Sequence, residues 1–126
     1  MTHHSTGRRP ARGPQVASWV EVDLAAVRHN VRAVRELIGP ECALWAVVKA
    51  NAYGHGAAPV ARAALEEGAA GLAVAFFREA AQLRRAGLAG PLLLLSAGDL
   101  RSAAQLVRMD IAQTGCRAEM MHALSR

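Results

Sequence analysis

Lysine and tyrosine each occur once in this chain of 126 residues, and cysteine, tryptophan and phenylalanine twice each. Each scarcity excludes something. Cys42 and Cys116 stand far apart, with no CxxC spacing, so neither a disulfide framework nor a zinc site is expected and a reducing cytosol fits. An aromatic fraction of 4% leaves little for stacking on single-stranded nucleic acid. The net charge of +5 comes partly from Arg8, Arg9 and Arg12 near the N-terminus, and the other basic residues alternate with glutamates along candidate helix faces. That pattern reads as solvated surface, so no nucleic-acid partner is expected. No apolar run approaches the roughly 18 residues of a membrane helix. MTHHSTGRRPARGPQ carries charge with no apolar segment behind it, so it is not read as an export signal. The expectation is a cytoplasmic protein with a disordered basic tail over residues 1–15 and a folded part over residues 16–126.

What is present is ordinary for a folded chain: 52% hydrophobic and 20% charged residues. In WVEVD, Trp19 to Asp23, polar and apolar residues alternate with the period of a strand. Asp23 can cap a helix in which Leu24, Val27, Val31, Val34 and Ile38 share one face, ended by Gly39-Pro40. Ala43 to Val48 is apolar at consecutive positions, as in a strand covered on both faces. Helices over Ala57–Glu67, Arg78–Ala86, Leu100–Met109 and Arg117–Ser125 alternate with strands over Gly71–Ala75, Pro91–Leu95 and Ile111–Thr114. Such alternation means βαβ units and a parallel sheet. A doubly wound sheet and a (β/α)8 barrel both begin this way, but the barrel takes about 250 residues, so about four units make half of one. A half barrel exposes two strand edges, and the isolated chain is expected to be unstable or to associate.

The one lysine, Lys49, ends the apolar run Ala43 to Val48. Arginine-rich, alanine-rich composition follows from a GC-rich coding sequence, so lysine scarcity alone means little. Position means more, because function in both architectures collects at the C-terminal ends of the strands. An amine held among apolar neighbours loses hydration of its charged form and is more available as a nucleophile, which suits a Schiff base with a carbonyl compound. Taken alone, a strand-end lysine is more often a charged head reaching solvent, and Tyr53 is as often a packing residue. Gly54 and Gly56 serve as turn residues, and also suit close approach to a phosphate. Neither GxxxxGK[ST] nor GxGxxG occurs, so nucleotide binding has no motif behind it.

AVVKANAYGHG, residues 46–56, closely resembles the pyridoxal-phosphate lysine motif of bacterial alanine racemases. WVEVDLAAVRHNVRAVR resembles the opening segment of that family, and GLAVAFFREAAQLRRAGLAGPLLLLS a segment further along it. Phe76-Phe77-Arg78 departs from the small or acidic residues usual there before Glu79. The resemblance implies an α/β fold, the N-terminal portion of a TIM-like barrel, with pyridoxal 5'-phosphate as cofactor and alanine as substrate. It implies that Lys49 forms the Schiff base and acts as one of two bases, and that Tyr53 donates a hydrogen bond to the cofactor phosphate. Val47, Leu93 and Leu95 become apolar walls beside the cofactor, and Asn51, Gly54, His55 and Gly56 give the loop its shape. In the family the opposite base is a tyrosine from the partner subunit's C-terminal domain, so a homodimer is implied for the full-length protein. An arginine contacts the pyridine nitrogen there. Neither has a counterpart here, where Tyr53 is the only tyrosine. The expected function is therefore the first segment of an enzyme that interconverts L- and D-alanine for peptidoglycan, inactive as this segment alone. The rival readings are a non-catalytic cofactor-binding protein of the same barrel, whose motif lacks AYGHG, and a small basic nucleic-acid binder.

Overall fold

The structure, a computed structural model, describes residues 18–115 and 117–125. The expected tail over residues 1–15 lies outside them. Helix α1 spans Leu24–Ile38, and the Asp23 carboxylate accepts the N–H groups of Ala25 (2.8 Å) and Ala26 (3.2 Å), the capping its sequence position calls for. The helix ends at Gly39, whose φ of 76° costs a glycine little. Its apolar face is only partly buried, and Arg28 with Glu66, and Arg32 with Glu67 (2.8 Å), tie it to the helix α2, Ala57–Glu66.

Strands β1 (Trp45–Val47), β2 (Gly71–Val74), β3 (Leu92–Leu94) and β4 (Ala112–Gln113) form one parallel sheet in sequential order. Between them run α2, α3 (Phe77–Arg85) and a 3₁₀ turn, Leu100–Ser102, that leads into α4 (Ala103–Arg108), and α5 (Ala118–Leu124) follows β4. Sequential order with the helices packed on one face decides between the two architectures. A doubly wound sheet reverses its strand order and covers both faces, whereas a barrel adds each strand beside the last. The fold is α/β, four units of a barrel wall.

The core lies between sheet and helices. Leu72, Val74, Leu92 and Leu94 meet Ala61, Ala80, Leu83, Leu106 and Ile111 in one apolar cluster. Leu72, Leu83, Leu92, Leu94 and Leu106 are almost completely buried, at about 2 kcal/mol of stabilisation each. Alanines on the inward faces of α2 and α3 let the helices lie close to the sheet. At the N-terminal ends of the strands Arg84, in the last turn of α3, donates to four carbonyls: Leu88 (2.7 Å), Gly90 (2.7 Å), Met109 (2.9 Å) and Asp110 (2.6 Å).

Two expectations are corrected. Trp19 to Asp23 is not a strand, and Trp19 and Val20 are 76% and 82% exposed. Alternation supplies a strand's two faces but not the neighbour that must accept its hydrogen bonds, and no described strand lies alongside. The run Ala43–Val48 is not covered on both faces, because its strand β1 lies at the edge of the sheet, where Trp45 and Val47 stay 38% and 42% exposed while every residue of β2 beside it is buried. No described helix is long and apolar enough to cross a membrane.

Candidate active site at the C-terminal ends of the strands

The register sets which side chains share one face of the sheet. Val47 lies beside Ala73 and Ala73 beside Leu93, so parallel pairing brings these three to one side of the sheet, with Leu95 two residues further along. Val47 is 42% and Leu95 41% exposed, and Leu93 is half-buried. The three expected wall residues are thus gathered on one apolar side of the sheet. At its lower end the Trp45 ring lies across Gly71, where an added Cβ would come within 2.6 Å of the indole. Only glycine leaves that space.

Lys49 begins the turn that leaves β1, half-buried, and its side chain makes no hydrogen bond or ion pair among the described residues. The next four residues turn left-handed: Ala50 at φ 51°, Asn51 at 55°, Ala52 at 52° and Tyr53 at 56°. For L-residues this conformation costs roughly 1–2 kcal/mol each and is usually adopted singly, so a run of them needs anchors. Several are visible. The Asn51 carboxamide oxygen accepts the N–H of Ala57 (2.8 Å) at the start of α2, and the Gly56 N–H returns to the Asn51 carbonyl (2.9 Å). His55 Nδ1 lies 2.9 Å from the Ala52 carbonyl oxygen, a contact that requires the Nδ1–H tautomer to donate. Ala52 itself is buried. Asn51, His55 and the glycines thus shape the loop, and the N–H of Ala57 is occupied by Asn51. Tyr53, last of the left-handed residues, is 61% exposed with its hydroxyl free among the described residues.

Glu79 is the residue that sequence reasoning passed over. In the first turn of α3, it accepts the N–H of Ala50 (2.8 Å) on one carboxylate oxygen and those of Ala75 (2.9 Å) and Phe76 (3.0 Å) on the other. Burial works to raise its pKa, but the backbone N–H groups of Ala50, Phe76 and Ala75, with the nearby Arg78 charge, outweigh it and hold the carboxyl below its ordinary range. A glutamate three residues after the helix cap was the available signal. Further along, Ser96 donates to the Ala75 carbonyl, and Gln113 Nε2 to the Ser96 carbonyl (2.6 Å), linking the ends of β2, β3 and β4. The Arg78 guanidinium lies over the Phe76 ring, 5.6 Å from its centroid.

A protein-family model described as alanine racemase, N-terminal domain, matches residues 22–126. The alanine racemase of Desulforamulus reducens is 60% identical over 77 residues, which are 61% of this chain and 21% of that protein. Alanine racemase 1 of Bacillus subtilis is 44% identical over 109 residues, 86% of this chain and 28% of that protein. A crystal structure of alanine racemase from Bacillus anthracis with bound L-Ala-P superposes with a TM-score of 0.79 at 46% identity, covering 82% of this chain and 27% of that one. The chain thus spans well under a third of the length of these relatives.

Proposed function

Since this chain belongs to the alanine racemase N-terminal domain family, we propose that it forms the first part of a pyridoxal 5'-phosphate-dependent enzyme that interconverts L- and D-alanine, with residues 16–126 as the opening portion of its barrel. The observation that carries the reading is the placement of the chain's one lysine: at the C-terminal end of β1, beside an apolar face to which Val47, Leu93 and Leu95 contribute partly exposed side chains.

The donor set fits the cofactor in kind. A flat ring calls for an apolar wall, which Val47, Leu93 and Leu95 offer. An aldehyde calls for a primary amine without a competing carboxylate, and Lys49 has no ion pair among the described residues. A phosphate calls for donors, and the exposed Tyr53 hydroxyl is one. When bound, the cofactor supplies the electron sink that stabilises negative charge at the substrate's Cα. The chain's own residues would do the rest on one face: Lys49 Nζ would hold the aldehyde carbon until the substrate's amine displaces it, the freed amine would then move the α-proton, Tyr53 would orient the phosphate, and the aliphatic wall would limit access of water.

Racemisation needs a second base on the opposite face. Tyr53, the only tyrosine, is committed to the phosphate, so that base comes from outside these 126 residues, as in a homodimer of the full-length protein. The whole enzyme would work in the cytoplasm on free alanine. Incubation with pyridoxal phosphate, borohydride reduction and peptide mass spectrometry test the reading. A pyridoxyl group is expected on Lys49 in preference to the N-terminal amine, and none at position 49 after Lys49→Arg; label on the N-terminal amine alone or equally on both, or no label, overturns it. A D-alanine assay on the chain alone should give no turnover.

A further inference from the structure

Lys49 is held by its neighbours and not by its own side chain. The Val48 N–H donates to the Ala73 carbonyl (2.9 Å), and the Ala50 N–H donates to Glu79 (2.8 Å). Both ties end on the second βα unit, at the end of β2 and the start of α3. From Ala50 on, the backbone is committed to a left-handed path that no glycine eases until Gly54. We infer that Glu79 is a positioning residue for Lys49: its carboxylate bridges the first two strand ends and fixes the Ala50 amide, so that the left-handed turn presents the lysine amine to the apolar face. The inference rests on Lys49 being the cofactor lysine.

Two features separate this from an ordinary helix cap. A capping carboxylate needs only the N–H groups of its own helix start, and Oε2 already serves Ala75 and Phe76 there. Oε1 reaches across to a residue 29 positions earlier, in the turn that carries the lysine. Second, that turn is made of residues that disfavour its conformation, so its population depends on an outside partner.

The experiment measures how fast pyridoxal phosphate and borohydride label Lys49 in the full 126-residue chain and in two variants, Glu79→Gln and Glu79→Asp. Aspartate keeps the charge at the helix start but is one methylene short of Ala50. Both variants should label at least about tenfold more slowly, the factor by which a competent conformation falls if the turn is only a tenth populated. Their circular dichroism should match that of the unmodified chain. Adding Ala50→Gly to Glu79→Gln should restore much of the rate, because glycine adopts positive φ freely. Should Glu79→Gln not fold, Glu79→Asp carries the test. Equal labelling in the unmodified chain and both variants overturns the positioning role and leaves the cofactor reading standing. An unmodified chain that takes no label at Lys49 overturns both.

Discussion

The two ends of the sheet are tied by opposite means from the same helix. At the C-terminal ends of the strands the carboxylate of Glu79 takes the N–H groups of Ala50, Ala75 and Phe76. At the N-terminal ends the guanidinium of Arg84 gives its hydrogens to the carbonyls of Leu88, Gly90, Met109 and Asp110. The difference follows from chain direction. A strand leads into a helix whose first N–H groups have no helical partner, and a helix leads into a strand after leaving its last carbonyls unpaired. An acid in the first turn of α3 and a base in its last also match the helix dipole. The two ends, however, hold unequal amounts of strain. Among the residues whose carbonyls Arg84 binds, Asp110 alone is a left-handed non-glycine residue, at φ 50°, whereas Glu79 helps hold a backbone that turns left-handed through four consecutive residues without glycine.

That contrast can be broken at either end. Arg84→Ala removes charge-assisted bonds to four carbonyls and should have the largest effect, about 3 kcal/mol in chemical denaturation, while labelling of Lys49 in the folded fraction stays unchanged. Arg84→Lys should recover little of it, since a single ammonium cannot span the same acceptors. Asn51→Ala, at the other end, loses the cap on Ala57 and should cost about 1 kcal/mol, and here the labelling rate should fall as well.

Glu79 should leave a smaller, pH-dependent mark. Its folded pKa lies below the ordinary value of 4.5, so between the two values the unfolded chain binds the proton that the folded chain refuses. Its contribution is therefore complete above about pH 4.5 and is lost as the pH falls through the lower folded value; denaturation curves against pH should show this step, and Glu79→Gln should lack it. The smallest change belongs to Lys49→Ala. With no ion pair to lose among the described residues, its stability should stay within about 0.5 kcal/mol, although the covalent label vanishes. A large loss instead would mean that the lysine supports the fold, and the contrast between a holding end and a stabilising end would fail.

The sequence carried most of the fold because its signals are local. Asp23, Gly39 and the apolar steps from Leu24 to Ile38 mark α1 without tertiary information, and the short apolar runs at 71–75 and 91–95 bracket β2 and β3. The place of Lys49 at a strand end was legible from the apolar run before it, whereas Val47, Leu93 and Leu95 were singled out only by the resemblance, and the strand register is what brings them to one side of the sheet. Trp19 to Asp23 misled because strand pairing is a property of two segments, and only one is visible in a local pattern. The left-handed turn was hidden for a different reason: Ala50, Asn51, Ala52 and Tyr53 include no glycine, so their conformation is imposed by distant anchors. Glu79 and Arg84 were invisible as ties because each binds backbone atoms, and any sequence offers those.

The indole of Trp45, laid over Gly71 on the same side of the sheet as Val47, also makes the molecule its own optical gauge. Changing the exposed Trp19 to phenylalanine would leave Trp45 as the sole tryptophan, its emission shifting blue when that surface is dried by a second copy. The state of that surface could then be followed in a cuvette before any catalysis is attempted.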